Sequence, residues 1–102
     1  MSRQVEKLVQ DLKEKYKANR LPAETPWRDV ELILKEYFPR TYKKKRGSHV
    51  TIHDDRLRSP ANPSGTLTIC HRQGRIVIKP YVKNLIEAII FMEEMQGEQE
   101  RP

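Results

Sequence analysis

Cysteine is almost missing from this chain. Cys70 stands alone among 102 residues, which excludes an internal disulfide and a zinc site built from cysteine pairs. Long apolar runs are missing too. The longest, Ala88 to Met92, falls far short of the ~20 residues that cross a bilayer. The opening Met1-Ser2-Arg3-Gln4-Val5-Glu6 carries no apolar core of a secretory signal. No internal repeat or low-complexity tract is visible, and the composition, 36% hydrophobic and 33% charged, is neither fibrous nor disordered. The expectation is one domain spanning 1–102, without a membrane association, in the reducing cytoplasm.

What is present is positive charge, unevenly placed. The net charge is +6. Residues 40–83 hold eleven Lys/Arg against two Asp/Glu, a balance of +9, between acidic flanks of −2 (21–39) and −4 (84–102). A basic block of this kind is either a solvated surface or a phosphate-binding face.

Apolar spacing sets out the elements. Val5, Leu8, Val9, Leu12 and Tyr16 form one stripe of a helix over about 3–18, read as an extension occupying 1–20. Thr25-Pro26 reads as a cap and first helical residue, ahead of a second stripe from Trp27 to Phe38 that Pro39 ends. Thr41 to Arg46 is a polar strand candidate. In Ser48 to His53, Val50 and Ile52 share one face, while His49, Thr51 and His53 share the other. Asp54 to Gly65 is a loop. Thr66–Arg72 and Arg75–Lys79 around Gln73-Gly74 read as a hairpin, setting Ile69 opposite Ile78 and Cys70 opposite Val77. Asn84 to Gln96 is the last helix, with an Asn84/Glu87 capping box, Gly97 past its end and a frayed tail over 97–102. The order predicts an α+β domain: a three- to four-stranded antiparallel sheet with helices on one face, its core over 25–96.

The most informative stretch is Tyr42-Lys43-Lys44-Lys45-Arg46-Gly47-Ser48-His49. Four consecutive cations require an anion or open water. Gly47 permits a tight turn and close approach of a ligand. Ser48 offers a hydroxyl and an amide donor. His49, on the face opposite Val50 and Ile52, can exchange a proton near neutrality. Beside fixed cations, that is equipment for phosphodiester cleavage: a base for a ribose 2′-hydroxyl, and Lys43, Lys44, Lys45 and Arg46 for the charge on phosphorus. Tyr42 is the candidate for base stacking. The plain alternative is a surface histidine in a soluble hairpin.

Arg46-Gly47-Ser48-His49, after an amphipathic helix and a basic strand, resembles the glycine-serine-histidine signature of HicA-type toxins. Lys79-Pro80-Tyr81-Val82 resembles a segment of one branch of that family, and the Val5 helix is similar to that branch as well. The resemblance covers about Trp27 to Met95. It implies a double-stranded-RNA-binding-domain-like fold and a messenger-RNA-cleaving toxin with no metal or other cofactor. It implies that His49 is required for toxicity, and that a HicB-type antitoxin covers the site. The chain departs from the short family pattern by its N-terminal helix and by a proline-rich insert at 59–65.

Other groups are weighed against ordinary structural roles. His49 and His53 lie ~13 Å apart along a strand, too far to share a metal. His53, Asp54 and Asp55 could hold a hydrated cation, but their spacing matches no known site. His71 is read as a half-buried, satisfied histidine, and Trp27 and Tyr37 as core. Besides a ribonuclease, the same basic face would suit a non-catalytic RNA-binding module, or a subunit that docks an acidic protein.

Overall fold

The first helix, α1 (Arg3–Lys17), starts where Ser2 accepts a hydrogen bond from the Val5 amide at 3.2 Å. It stops where Asn19 takes a left-handed conformation, φ 56°. Arg20 N–H then reaches the Lys15 carbonyl and Asn19 N–H the Tyr16 carbonyl, so the last carbonyls are satisfied by a Schellman-type end. Val5, Val9 and Leu12 are buried, as their spacing requires. The computed structural model describes residues 2–44 and 47–100, and for 98–100 the backbone alone.

Two two-stranded antiparallel ladders follow, in place of the single sheet of three or four strands predicted from sequence. The α+β class itself is as expected. β1 (Glu24–Pro26) pairs with β4 (Ile76–Ile78), Thr25 standing opposite Val77. β2 (His49–His53) pairs with β3 (Thr66–Cys70), Val50 opposite Ile69 and Ile52 opposite Leu67. Those four apolar residues share the core with the helix stripes. On the other face the pairs are His49 with Cys70, Thr51 with Thr68 and His53 with Thr66.

Several predicted features are corrected. Thr25-Pro26 is not a helix cap: it lies in β1, and α2 (Trp27–Tyr37) begins afterwards with no side-chain cap. Proline is tolerated there because β1 is an edge strand. The Gln73-Gly74 turn forms, with φ 53° and 67°, but the hairpin ladder does not. Arg72 bridges Ile76, one residue out of the expected register, and the Arg75 carbonyl instead accepts from Trp27 N–H. β4 is thereby bound to β1, with Val77 facing inward. A slip of one residue reverses every side chain, so burial of Val77 fixes this choice.

Thr41 to Lys44 is not a strand. The amides of Thr41 and Tyr42 both turn back to the Phe38 carbonyl, and the Tyr42 ring is drawn into the core. Lys45 and Arg46 lie outside the described residues.

The last helix, α3 (Lys79–Glu100), starts five residues before Asn84 and runs through Gly97, so 97–100 is not a frayed tail. Pro80 sits in the first turn, where a missing N–H costs nothing. The buried stripe accordingly begins at Val82 and continues through Leu85, Ile86, Ile89 and Met92, with Ile90 half-buried at its edge. α1 and α2 pack on each other, and α1 packs on α3, with Lys13 paired to Glu93.

The segment from 54 to 65 is ordered by its own side chains. Leu57, in a 3-10 turn over Asp55–Leu57, is buried. The Asn62 side-chain amide donates to the Thr66 carbonyl at 2.9 Å. Gly65 has φ 64°, and a Cβ there would lie 2.5 Å from the Asp54 carbonyl oxygen; only glycine closes this loop.

Candidate nucleic-acid interface

Gly47 delivers the chain into β2 with φ 101°, a region that disfavours a side chain. Nothing lies within 4 Å of where a Cβ would be, so it is the turn, not crowding, that requires glycine. Ser48 then extends the β2–β3 ladder, its carbonyl accepting from His71 N–H at 2.8 Å. His49 opens the exposed face of β2, its Nδ1 3.2 Å from Ser48 Oγ. In the tautomer whose Nδ1–H donates to that hydroxyl, Nε2 carries the free lone pair of the ring.

A cleft of about 310 Å³ runs along this face, lined by Arg40, Thr41, Lys43, His49, Thr51 and His53 with Val50 at its floor. Among the described residues no carboxylate lines it, and neither Arg40 nor Lys43 makes an ion pair. Two unneutralised cations and two imidazoles therefore surround one space, a distribution that favours a polyanion.

The cleft continues into a second lobe of about 660 Å³, with which it shares Arg40, Thr41 and His53. This lobe is of different character. Arg56 is clamped in it: Nε and Nη2 donate to the two Asp54 carboxylate oxygens at 3.0 and 2.8 Å, and Nη2 also reaches the Tyr37 carbonyl. Its guanidinium lies 5.5 Å from the centre of the Phe38 ring. The Arg56 hydrogen bond holds the Asp54 carboxyl below its usual range, against the opposing effect of burial. Arg58 faces Asp55 at 3.1 Å, both well exposed.

Lys43, Lys44, Gly47, Ser48 and His49 are all exposed, and of these Lys43 and His49 line the cleft. Lys45 and Arg46, named with them, are outside the described residues. Tyr42 is corrected. It is 9% exposed, and its hydroxyl donates to Glu31 at 2.6 Å. Burial and that carboxylate raise it far above the ordinary phenol range. A ring packed in the core presents no face for a base, so Tyr42 does not stack.

His71 is half-buried, stacked on Trp27 with ring centres 4.4 Å apart, and its Nδ1 accepts from Gly74 N–H at 2.9 Å. Cys70 stands across the ladder from His49. A hydrogen bond to Cys70 raises the Tyr81 hydroxyl above its ordinary value. Among the described residues no three His, Cys, Asp or Glu side chains group as metal ligands, and no helix is long and apolar enough to cross a membrane.

Sequence reasoning missed Arg40 and Thr41, and weighed His53 only as a metal ligand. The first two carried no pattern, since they reach the cleft only because Tyr42 folds the chain back onto Phe38. His53 did carry one, the two-residue period it shares with His49. Comparison of the chain with protein-family models, with curated proteins and with solved structures finds no match, and the functional reading therefore rests on this geometry and on the Gly47-Ser48-His49 motif.

Proposed function

We propose that the protein is a small ribonuclease toxin that cleaves messenger RNA without a metal, using His49 as its acid/base group, as its resemblance to HicA-type toxins implies. The same reading includes a double-stranded-RNA-binding-domain-like arrangement, a cytoplasmic site of action and a HicB-type antitoxin that covers the cleft. The observation that carries it is the cleft itself: His49 shares about 310 Å³ with Arg40 and Lys43 and, among the described residues, with no acidic side chain.

In this reading the RNA backbone lies in the cleft with a phosphate between the cations. Lys44, Gly47 and Ser48, with Lys45 and Arg46, extend the contact along the backbone. Nε2 of His49 takes the proton of the 2′-hydroxyl, and the 2′-oxygen forms its bond to phosphorus. The bond from phosphorus to the 5′-oxygen breaks, and that oxygen takes a proton from a water molecule, which recovers one from the His49 imidazolium. Arg40 and Lys43 offset the charge that builds on the non-bridging oxygens.

The second reading is a non-catalytic RNA-binding module. It is favoured by one observation: among the described residues only the exposed Ser48 hydroxyl contacts the His49 ring, and no carboxylate orients it. A gel assay in EDTA separates the two. The wild type shortens RNA, and His49→Ala binds RNA but cleaves it ~10²–10⁴-fold more slowly. RNA bound and left intact by the wild type would favour the module. No RNA affinity at all would leave the basic face to an acidic protein partner.

A further inference from the structure

The cleft beside His49 adjoins a second, larger cavity. This second lobe is built largely by 54–65, the segment that the proposed function does not use. The two lobes meet at Arg40, Thr41 and His53. His53 lies on the same strand face as His49, ~13 Å farther along, too far to act on the same phosphorus. It sits where the backbone of a bound strand would leave the first lobe.

The second lobe is not a plain cationic trough. Arg40, Arg56 and Arg58 line it together with Asp54 and Asp55, and Ser64 adds a hydroxyl. Asp54 and Arg56 are engaged with each other through two hydrogen bonds. Arg58 and Asp55, with 63% and 89% of their side-chain surface exposed, form a pair that water screens and that a ligand can open at little cost. A donor fork and an acceptor carboxylate side by side suit a nucleotide, whose phosphate takes the fork and whose base edge offers donors to the carboxylate. The volume, about 660 Å³, is twice that of the first lobe and admits a nucleotide.

We propose that the second lobe is a nucleotide subsite for the RNA chain on one side of the cleaved bond, with Arg58 and Asp55 as its adaptable contacts and Arg40 and His53 as the junction. This rests on the reading of the first lobe as an RNA cleft. The chain then has a minimum substrate length, and its base preference at one flanking position comes from Asp55 and Arg58. The clamp on Arg56 serves as the rigid wall of the subsite.

Fluorescently labelled single-stranded RNAs, a dinucleotide and an octanucleotide, are titrated with the His49→Ala protein and with the same protein carrying Arg58→Ala. The exposed position of Arg58 leaves the fold intact. Binding of the octanucleotide falls about fivefold in the double variant, and its log K against log salt slope becomes shallower by about 0.7. Dinucleotide binding is the same in both proteins. Equal losses for the two lengths, or no loss for either, would overturn the subsite while leaving the cleft. Absence of RNA binding by the His49→Ala protein would overturn the subsite together with the RNA reading on which it rests. Binding with the predicted length dependence, in a wild type that leaves RNA uncut, would remove the catalytic reading and keep the subsite.

Discussion

His49 and Asp54 are five residues apart and do opposite things. His49 is exposed, and the Ser48 hydroxyl at Nδ1 is the one hydrogen-bond partner of its ring among the described residues, so replacing it leaves the fold alone. When the protein is expressed by itself, His49→Lys should relieve growth inhibition as fully as His49→Ala, because a lysine keeps a cation but does not exchange protons near neutrality. Toxicity retained by His49→Lys and lost by His49→Ala would make the residue a phosphate anchor. Asp54, by contrast, is structural. Its carboxyl is held low by Arg56, so its folded value lies below its unfolded one. The stabilisation is therefore in place above about pH 4 and disappears as pH falls through the folded value. Asp54→Asn should lower stability by about 1–2 kcal/mol near neutrality, with the difference vanishing in strong acid. Melting curves across pH check this, and equal losses at all pH values would contradict it. The motif residues were legible because they are contiguous. Tyr42 misled because its neighbours are lysines, while the carboxylate that receives its hydroxyl is Glu31, far back on α2.

Among the elements, those whose burial repeats within the segment were readable. The stripes of α1 and α2 and the alternation of β2 each encode their own inward face, and the structure buries those faces. Partnership was not readable. β3 and β4 flank a turn and look like a hairpin, yet β3 pairs with β2 and β4 with β1. Neither local pattern contains that information. β1 was hidden for a chemical reason: Thr25-Pro26 has the residue types of a helix start, and three residues are too few to show a period. Thr25 carries a trace of the choice. It is 5% exposed, and its hydroxyl finds no hydrogen-bond partner among the described residues. Thr25→Val keeps the branched shape and removes the unsatisfied oxygen, so it should raise stability by about 1 kcal/mol. A urea midpoint that fell would mean that the hydroxyl is bonded and β1 wrongly described.

At the scale of the whole molecule, the helices and the open face divide the labour. α1, α2 and α3 share their stripes in one core with the inner side of the β2–β3 ladder. That leaves a flat outer side of His49, Thr51, His53, Thr66, Thr68 and Cys70, without a charged side chain of its own. The cations stand at its margin, on Arg40, Lys43 and the neighbouring loops, so a strand of RNA can be held from the side while the ladder face stays accessible to chemistry. Acidic residues are gathered instead in 21–39 and 84–102, away from the basic block in sequence, and none of the described ones lines the His49 cleft. The central claim is that His49 removes a 2′-hydroxyl proton and the 2′-oxygen attacks the adjacent phosphorus. The most direct measurement is the chemical nature of the cut ends, read by mass spectrometry on a short RNA of defined sequence incubated with the protein in EDTA. The account predicts a 2′,3′-cyclic phosphate on one fragment and a 5′-hydroxyl on the other, and no cut where the ribose at that position is replaced by deoxyribose. A 3′-hydroxyl with a 5′-phosphate, or cleavage undiminished by the deoxy substitution, would contradict it.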